Sequence, residues 1–324
     1  MLLEVAELAV DVATRGGFQR VVDRTSFSLD EGESLGVVGE SGSGKTMTAL
    51  ALMGLTPEGA SVSGSIRFDG RELTGLDDNA MRQLRGDRMA MIFQEPMTAL
   101  NPLRRVGAQV AEPLMLHRAL SKREAHARAV ALLEHVRLAE PERAARSYPF
   151  QLSGGERQRA MIAMAIGCGP RLVIADEPTT ALDVTVQARI LALIDGLKSE
   201  SKMAILLVSH DLAVIAGHCD RVIVMYAGMI MESGPVEAVL RQPRNPYTLA
   251  LLEARPRPGA PRGVRLKTIP GSPPIARERR KGCPFAGRCT LTIEICRTVA
   301  PPEIAFGAGH ISRCHRAGEV GLAP

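Results

Sequence analysis

Gly39-Glu40-Ser41-Gly42-Ser43-Gly44-Lys45-Thr46 has the form G-x-x-x-x-G-K-[ST], the spacing of a loop that wraps a polyphosphate. The apolar run Leu35 to Val38 before it reads as a buried strand, and the pattern Met47 to Leu55 after it reads as a helix. Glycines 39, 42 and 44 let the backbone turn close to an anion, so that the N–H groups of the loop, those of Ser41 and Ser43 included, point inward. A helix opening at Gly44 adds its positive dipole end at the same point. Lys45 would reach the outer phosphates, and the Thr46 hydroxyl is of the type that ligates Mg²⁺. A glycine-rich turn that merely precedes Lys-Thr would need no strand and helix on its two sides. The stretch predicts that the chain binds a nucleoside triphosphate.

The rest of the chain is compatible with that reading. Its 324 residues allow about two domains. A hydrophobic content of 45% with a net charge of +5 is ordinary for a globular protein with a large core. No run of 18 apolar residues appears, and Met1 to Val12 lacks the basic start of a signal peptide, so a cytoplasmic chain is expected. The mild positive charge is explained by a solvated surface as well as by an anionic partner.

Upstream of the loop, Leu2 to Val12 and Thr25 to Leu29 alternate with a period near two and read as strands, with a glycine turn at Thr14–Phe18 between them. Trp is absent, and Phe18 is the nearby ring that could stack on an adenine, although a surface aromatic on the glycine loop is an equal expectation. Downstream, the apolar run Met89 to Phe93 ends on Gln94, a polar amide at the strand end where α/β proteins place ligand contacts. Arg104 to Ala145 is helical in pattern, with segments Val106–Leu116 and Lys122–Val136, and reads as an inserted subdomain.

Leu152-Ser153-Gly154-Gly155-Glu156 then opens a second helix. A serine and two glycines at a helix start suit an anion, but Ser153 and Glu156 also have the spacing of a plain capping box. The apolar strand Leu172 to Ala175 ends on Asp176-Glu177, carboxylates placed for a Mg²⁺ site and a water-activating base. Thr180-Ala181-Leu182-Asp183 precedes a helix from Val184 to Leu197, and the strand Met203 to Val208 ends on His210. A single histidine there could be a satisfied structural residue, but with three other strand ends expected at one phosphate, His210 is expected to contact the γ-phosphate.

In order and spacing, Gly39–Thr46, Gln94, Leu152–Glu156, Leu172–Glu177, Leu182-Asp183 and His210 resemble the Walker A loop, Q-loop, signature motif, Walker B strand, D-loop and switch histidine of ATP-binding cassette (ABC) ATPases. The Leu-Ser-Gly-Gly-Glu motif separates these from other P-loop proteins, and the likeness runs from residue 1 to about 240. It implies an α/β P-loop fold of ABC type: a mixed sheet core, an antiparallel β subdomain, and an inserted helical subdomain at about 95–165. It also implies a mechanism in which two cassettes close head to tail around two ATP molecules. Each ATP then lies between one chain's Gly39–Thr46 loop and the Ser153, Gly154, Gly155 and Glu156 loop of the other. Asp176, Thr46 and Gln94 would hold Mg²⁺, Glu177 would polarise the attacking water, and His210 would touch the γ-phosphate.

The remaining residues, 241–324, narrow the resemblance. Gln242-Pro243-Arg244-Asn245-Pro246-Tyr247-Thr248, a short helix Leu249–Glu253, a Pro- and Arg-rich linker from Arg255 to Gly282, and Cys283, Cys289, Cys296 and Cys314 follow one another. This is similar to the tail of ATPase subunits from importers of dipeptides, oligopeptides and nickel, with Asn245 where His is usual. The implied partners are two transmembrane permeases, an extracytoplasmic solute-binding protein and a second, non-identical ATPase chain. The implied location is peripheral, on the cytoplasmic face of the inner membrane. Peptide is the leading solute, nickel or another small solute the second. A soluble ABC ATPase acting on nucleic acid or ribosomes would carry two cassettes or a long coiled-coil insertion, which this chain lacks.

In the expected cytoplasmic compartment, reducing thiol pools argue against disulfides among the four tail cysteines. They lack the C-x2–4-C pair usual for zinc, and iron–sulfur clusters accept irregular spacing. Zinc and unligated thiols stay open on spacing alone; the family resemblance implies a [4Fe–4S] cluster. Cys168 and Cys219 lie in apolar segments and are expected in the core. His310 and His315 are expected at the surface, and the linker arginines, with Glu278 almost the only acid among them, in solvent rather than on lipid.

Overall fold

The computed structural model describes residues 1–180, 182–255, 267–274 and 281–321. Ala181 and most of the linker, Glu278 with it, lie outside the described residues.

Alternation near the N-terminus produces a long hairpin of β1 (Leu3–Thr14) and β2 (Gly17–Leu29), turned at the expected glycines. β3 (Ser34–Val38) is buried at every position, as an apolar run between two sheet neighbours must be. It leads through the phosphate loop into α1 (Lys45–Leu52). The helix starts two residues before the expected Met47 and ends three before Leu55. Gly44 serves as its N-cap, and Gly54 in the left-handed region stops it. β4 (Ser61–Phe68) and β5 (Arg71–Glu72) complete a four-stranded antiparallel sheet ordered β2-β1-β4-β5. α2 (Asp78–Leu84), capped by the Asp77 side chain, returns the chain to β6 (Met89–Ile92).

Between β6 and the next strand of the main sheet lies a run of helices. These are α3 (Pro96–Ala99), α4 (Val106–Arg118), α5 (Lys122–His135), α6 (Pro141–Arg146) and α7 (Gly154–Ile166). Their apolar faces, Val110, Leu114, Ala129, Leu133 and Met161 among them, are buried in one cluster with the underside of the main sheet. α7 begins at Gly154, because Ser153 and Glu156 close a capping box and Gly154-Gly155 form the first helical turn.

β7 (Leu172–Asp176), α8 (Val184–Ser201), β8 (Ala204–Ser209), α9 (Leu212–His218), β9 (Arg221–Tyr226), β10 (Met229–Pro235) and α10 (Val236–Arg241) follow. The tail adds α11 (Pro246–Glu253), α12 (Ile295–Thr298), β11 (Glu303–Ala305) and β12 (Ile311–Arg313). The main sheet runs β11-β12-β10-β9-β3-β8-β7-β6. Its β9-β3-β8-β7-β6 half is parallel and its β11-β12-β10-β9 half antiparallel.

Two tail residues, Tyr247 and Phe285, belong to the main apolar cluster. Asn245 supports them. It is 1% exposed, its Nδ2 donates to the carbonyls of Met231 and Arg313 at 3.0 Å each, and its Oδ1 caps α11 through the Tyr247 N–H. The side chain thus pins β10, β12 and α11 together, which accounts for a short polar residue at this position. One expectation fails. His310 is not at the surface; it is 5% exposed, with Nε2 2.7 Å from Glu232 of β10, because β12 carries it against the sheet. No helix among the described residues is long and apolar enough to cross a membrane.

Candidate nucleotide site

β3, β6, β7 and β8 all end on one edge of the parallel half-sheet, and each delivers polar residues there. Beyond β3 the loop can approach β9 only because Gly39 has no side chain: a Cβ there would sit 2.1 Å from the Met225 carbonyl oxygen. Gly44, at φ 102°, lies in the left-handed region, and a Cβ on it would come within 2.9 Å of the Val21 oxygen.

Lys45 is 5% exposed, and its Nζ donates to the carbonyls of Gly39 (2.8 Å) and Glu40 (3.1 Å). Burial pulls this ammonium's pKa down, opposed by the carboxylates of Glu177, Asp176 and Glu40. Thr46 Oγ1 donates to Asp176 Oδ1 at 3.2 Å, tying the loop to the end of β7. Asp176 is 2% exposed, and burial pushes its carboxyl above the ordinary range. A buried carboxylate and a hydroxyl side by side are hard oxygen donors, so the residues fit Mg²⁺.

Glu177 adopts φ 46° while its N–H donates to the Val208 carbonyl at 3.0 Å. Its side chain meets three groups on one oxygen. Gln94 Nε2 lies 3.3 Å from Glu177 Oε2, Thr180 Oγ1 2.9 Å and His210 Nδ1 3.1 Å. The expected residues Gln94, Glu177 and His210 are therefore brought together, next to Asp176 and Thr46. Thr180 is an addition that spacing alone did not single out, although its three-residue offset from Glu177 in a turn was a readable signal.

Ser153 and its neighbours behave differently. The Ser153 N–H and hydroxyl both donate to Glu156 Oε2, at 2.8 and 2.7 Å, and Glu156 also meets Arg143. Gly155 is close to Val186 of α8, where a Cβ would approach Cγ1 to 3.0 Å. Among the described residues no hydrogen bond or ion pair joins 153–156 to the 39–46 loop. Phe18 sits at the hairpin turn and is 71% exposed, without a ring partner among the described residues.

The tail reaches the loop, a contact between residues about two hundred positions apart that no motif announces. Tyr247 Oη accepts the Glu40 N–H at 2.9 Å. Arg288 grips the Glu40 carboxylate with both guanidinium nitrogens, at 2.6 and 3.0 Å.

Cys283, Cys289, Cys296 and Cys314 line one small cavity of about 20 Å³ together with His315 and Arg316. Backbone N–H groups of Leu291 and Arg316 donate to the sulfurs of Cys289 and Cys314, at 3.3 Å each, and that of Phe285 to Cys283. Burial pushes the Cys283 thiol up to about 12 and Cys314 up to about 11, with neighbouring thiols adding to the rise. No group of three or more His, Cys, Asp or Glu among the described residues is spaced to hold a metal ion. The four thiols converge without forming a coordination sphere. Cys168 is buried in the core as expected, whereas Cys219 is half-buried and packs against the core beside Gly36.

Comparison with known proteins agrees with the geometry. Residues 22–180 match the ABC transporter family, and residues 231–296 match the oligopeptide/dipeptide transporter C-terminal region. The chain is 49% identical to the oligopeptide transport ATP-binding protein OppD of Salmonella typhimurium, over 98% of this chain and 94% of that one. It is 46% identical to OppD of Haemophilus influenzae, over 97% and 96%. Among solved structures it resembles the dimeric ATP-binding cassette MJ0796 in a post-hydrolysis state bound to ADP and Pi. The TM-score is 0.65 at 28% identity, covering 72% of this chain and 99% of that one. On its loop, its convergent strand ends and its near full-length similarity, the chain belongs to the ABC transporter ATP-binding proteins, in the branch of the oligopeptide transport ATPases.

Proposed function

We propose that this chain hydrolyses ATP to energise an importer of oligopeptides. The observation that carries the reading is the meeting of Gln94, Thr180 and His210 on Glu177, beside the Thr46–Asp176 pair and the Lys45 loop. The N–H groups of Gly39–Thr46 and the Lys45 ammonium bind the phosphates of ATP. Thr46, Asp176 and Gln94 would hold Mg²⁺, which would supply charge neutralisation for the phosphates. Glu177 takes a proton from the attacking water as the bond between β- and γ-phosphate breaks, giving ADP and phosphate. His210, hydrogen-bonded to Glu177, keeps that carboxylate aimed and can donate toward the γ-phosphate.

The Ser153–Glu156 loop serves the ATP of a facing cassette. The absence of any described bond between it and this chain's own phosphate loop supports a shared site, as does the dimeric state of the MJ0796 relative. We take residues 1–240 as the cassette and 241–324 as a tail specific to peptide importers. The chain then works at the cytoplasmic face of the inner membrane, with two permeases, an extracytoplasmic solute-binding protein and a second, non-identical ATPase. Oligopeptide leads over nickel because the relatives named above are oligopeptide transport proteins. Action on nucleic acid has no support in the tail.

The four cysteines we read as the ligands of a [4Fe–4S] centre that staples the tail. Convergence on one cavity and backbone N–H groups aimed at the sulfurs support this, since such bonds stabilise thiolates at iron–sulfur sites. Their spacing as placed does not, and no catalytic step passes through them. Protein purified without oxygen should be brown and absorb near ~400 nm, and each Cys→Ser change should bleach it. Colourless protein holding zinc would replace iron in this reading.

Reconstitution with both permeases, the binding protein and a second ATPase chain tests the main proposal. ATP turnover should rise when oligopeptide is added. Turnover indifferent to peptide, or complete without any membrane partner, would sink it.

A further inference from the structure

A carboxylate stands in the phosphate loop itself. Glu40 follows the first glycine of the motif, and its own carbonyl already accepts from Lys45 Nζ. Near a polyphosphate, an anion at this position has the wrong sign: it repels the ligand and competes for Lys45. In this protein the charge is cancelled from the tail. Arg288 makes a fork on Glu40 at 2.6 and 3.0 Å, and its side chain is only 8% exposed.

The fork is held in place rather than loosely paired. Arg288 Nε donates to the Pro270 carbonyl at 2.7 Å, and Nη1 donates to Tyr226 Oη at 3.2 Å. The guanidinium lies beside the rings of Tyr226 and Phe285, at 5.7 and 5.9 Å from their centroids. Those two rings and Tyr247 form a closed group with centroid distances of 4.6 to 5.2 Å. Tyr247 in turn fixes the Glu40 N–H. Arg288 is also the residue before Cys289, so whatever orders the cysteine-bearing loop orders the fork.

We infer that Arg288 is a positioning residue of the nucleotide site: by neutralising and fixing Glu40, it makes the phosphate loop able to accept ATP, and the tail is thereby part of the ATP-binding apparatus. This deepens the reading of residues 39–46 as the phosphate loop and rests on it.

The test is a charge cycle on the full-length chain, with Mg-ATP affinity measured by displacement of a fluorescent ATP analogue. Arg288→Ala should weaken ATP binding on the order of tenfold, because it leaves an unpaired carboxylate at the loop. The double change Glu40→Gln with Arg288→Ala removes that carboxylate and should recover most of the loss. A purely structural Arg288, one that only holds the tail down, would not be rescued by deleting a charge on its partner. Equal weakness of the single and double variants therefore overturns the inference, as does wild-type affinity in Arg288→Ala. Arg288→Lys covers the case in which the alanine variant does not fold. It keeps the positive charge and should lose less than about tenfold; a folded lysine variant that binds no ATP also overturns the inference. Failure of the unaltered chain to bind ATP would be a different result, against the phosphate loop itself.

Discussion

Glu177→Gln separates the chemistry of this site from its architecture. The substitution keeps the side chain's size and its amide oxygen can still accept from Gln94, Thr180 and His210, now 3.3, 2.9 and 3.1 Å from Oε2. Those three bonds change from charge-assisted to neutral, which costs about 1 kcal/mol each, so stability falls by at most about 3 kcal/mol. What disappears entirely is the basic site for the water's proton. Removing a general base slows such reactions by about 10²- to 10⁴-fold, or about 2.7–5.4 kcal/mol in barrier height. Single-turnover release of phosphate by the assembled transporter, at saturating Mg-ATP, should show that loss. ATP binding to the same protein should persist, since Lys45, Thr46 and Asp176 are untouched. A rate within about threefold of the unaltered enzyme, in protein that binds ATP normally, would refute the assignment of Glu177 as the base.

Other expectations are as direct. Lys45→Ala should weaken ATP binding by about 10- to 100-fold, the worth of a lost charge-assisted bond, read by nucleotide titration; unchanged affinity would contradict it. Asn245→Ala strips three buried bonds to backbone groups of Met231, Arg313 and Tyr247, at about 1 kcal/mol each. A loss of about 3 kcal/mol in urea unfolding is expected, and one below about 1 kcal/mol would show that water replaces the amide. The Cys219 thiol is pushed up to about 12, chiefly by burial. The folded chain keeps a proton that the unfolded chain gives up near pH 9, so this contribution to stability is whole below that pH and fades as pH climbs toward about 12. Between pH 8 and pH 10 the fall should be on the order of 1 kcal/mol, and Cys219→Ala should remove it; an identical slope in the variant would exclude that source.

Much of the cassette could be read from residues because each part is local. The phosphate loop, the apolar strands and the polar residues at their ends are contiguous in sequence, and the parallel sheet then brings Gln94, Asp176, Glu177 and His210 to one edge without further instruction. Helix boundaries were less legible: α1 and α7 begin earlier than the apolar pattern shows, because glycine and serine caps set the start. Long-range pairings were not legible. Nothing in the local pattern announces that Arg288 meets Glu40, or that β12 lands on β10 and buries His310. Such contacts depend on where a distant segment docks, and hydrophobic periodicity carries no record of that. The four cysteines are intermediate: their convergence on one cavity agrees with their clustering in sequence, while among the described residues they do not make up a metal-holding group.

The placement of β12 has one more effect. β10 has β9 on one side, and on the other its hydrogen-bonding groups are met by Ser312 and Ile311 of the tail. Without them, the cassette would present an open strand rim, and exposed rims of that kind recruit strands from other molecules. The outermost strand is instead β11, only three residues long, with Glu303 paired to Arg313 of β12. A short, charged margin gives a second chain little to add to. The tail is therefore expected also to shield the free subunit from its own kind, and a version of the chain ending near residue 240 should aggregate more readily than one that keeps β11 and β12.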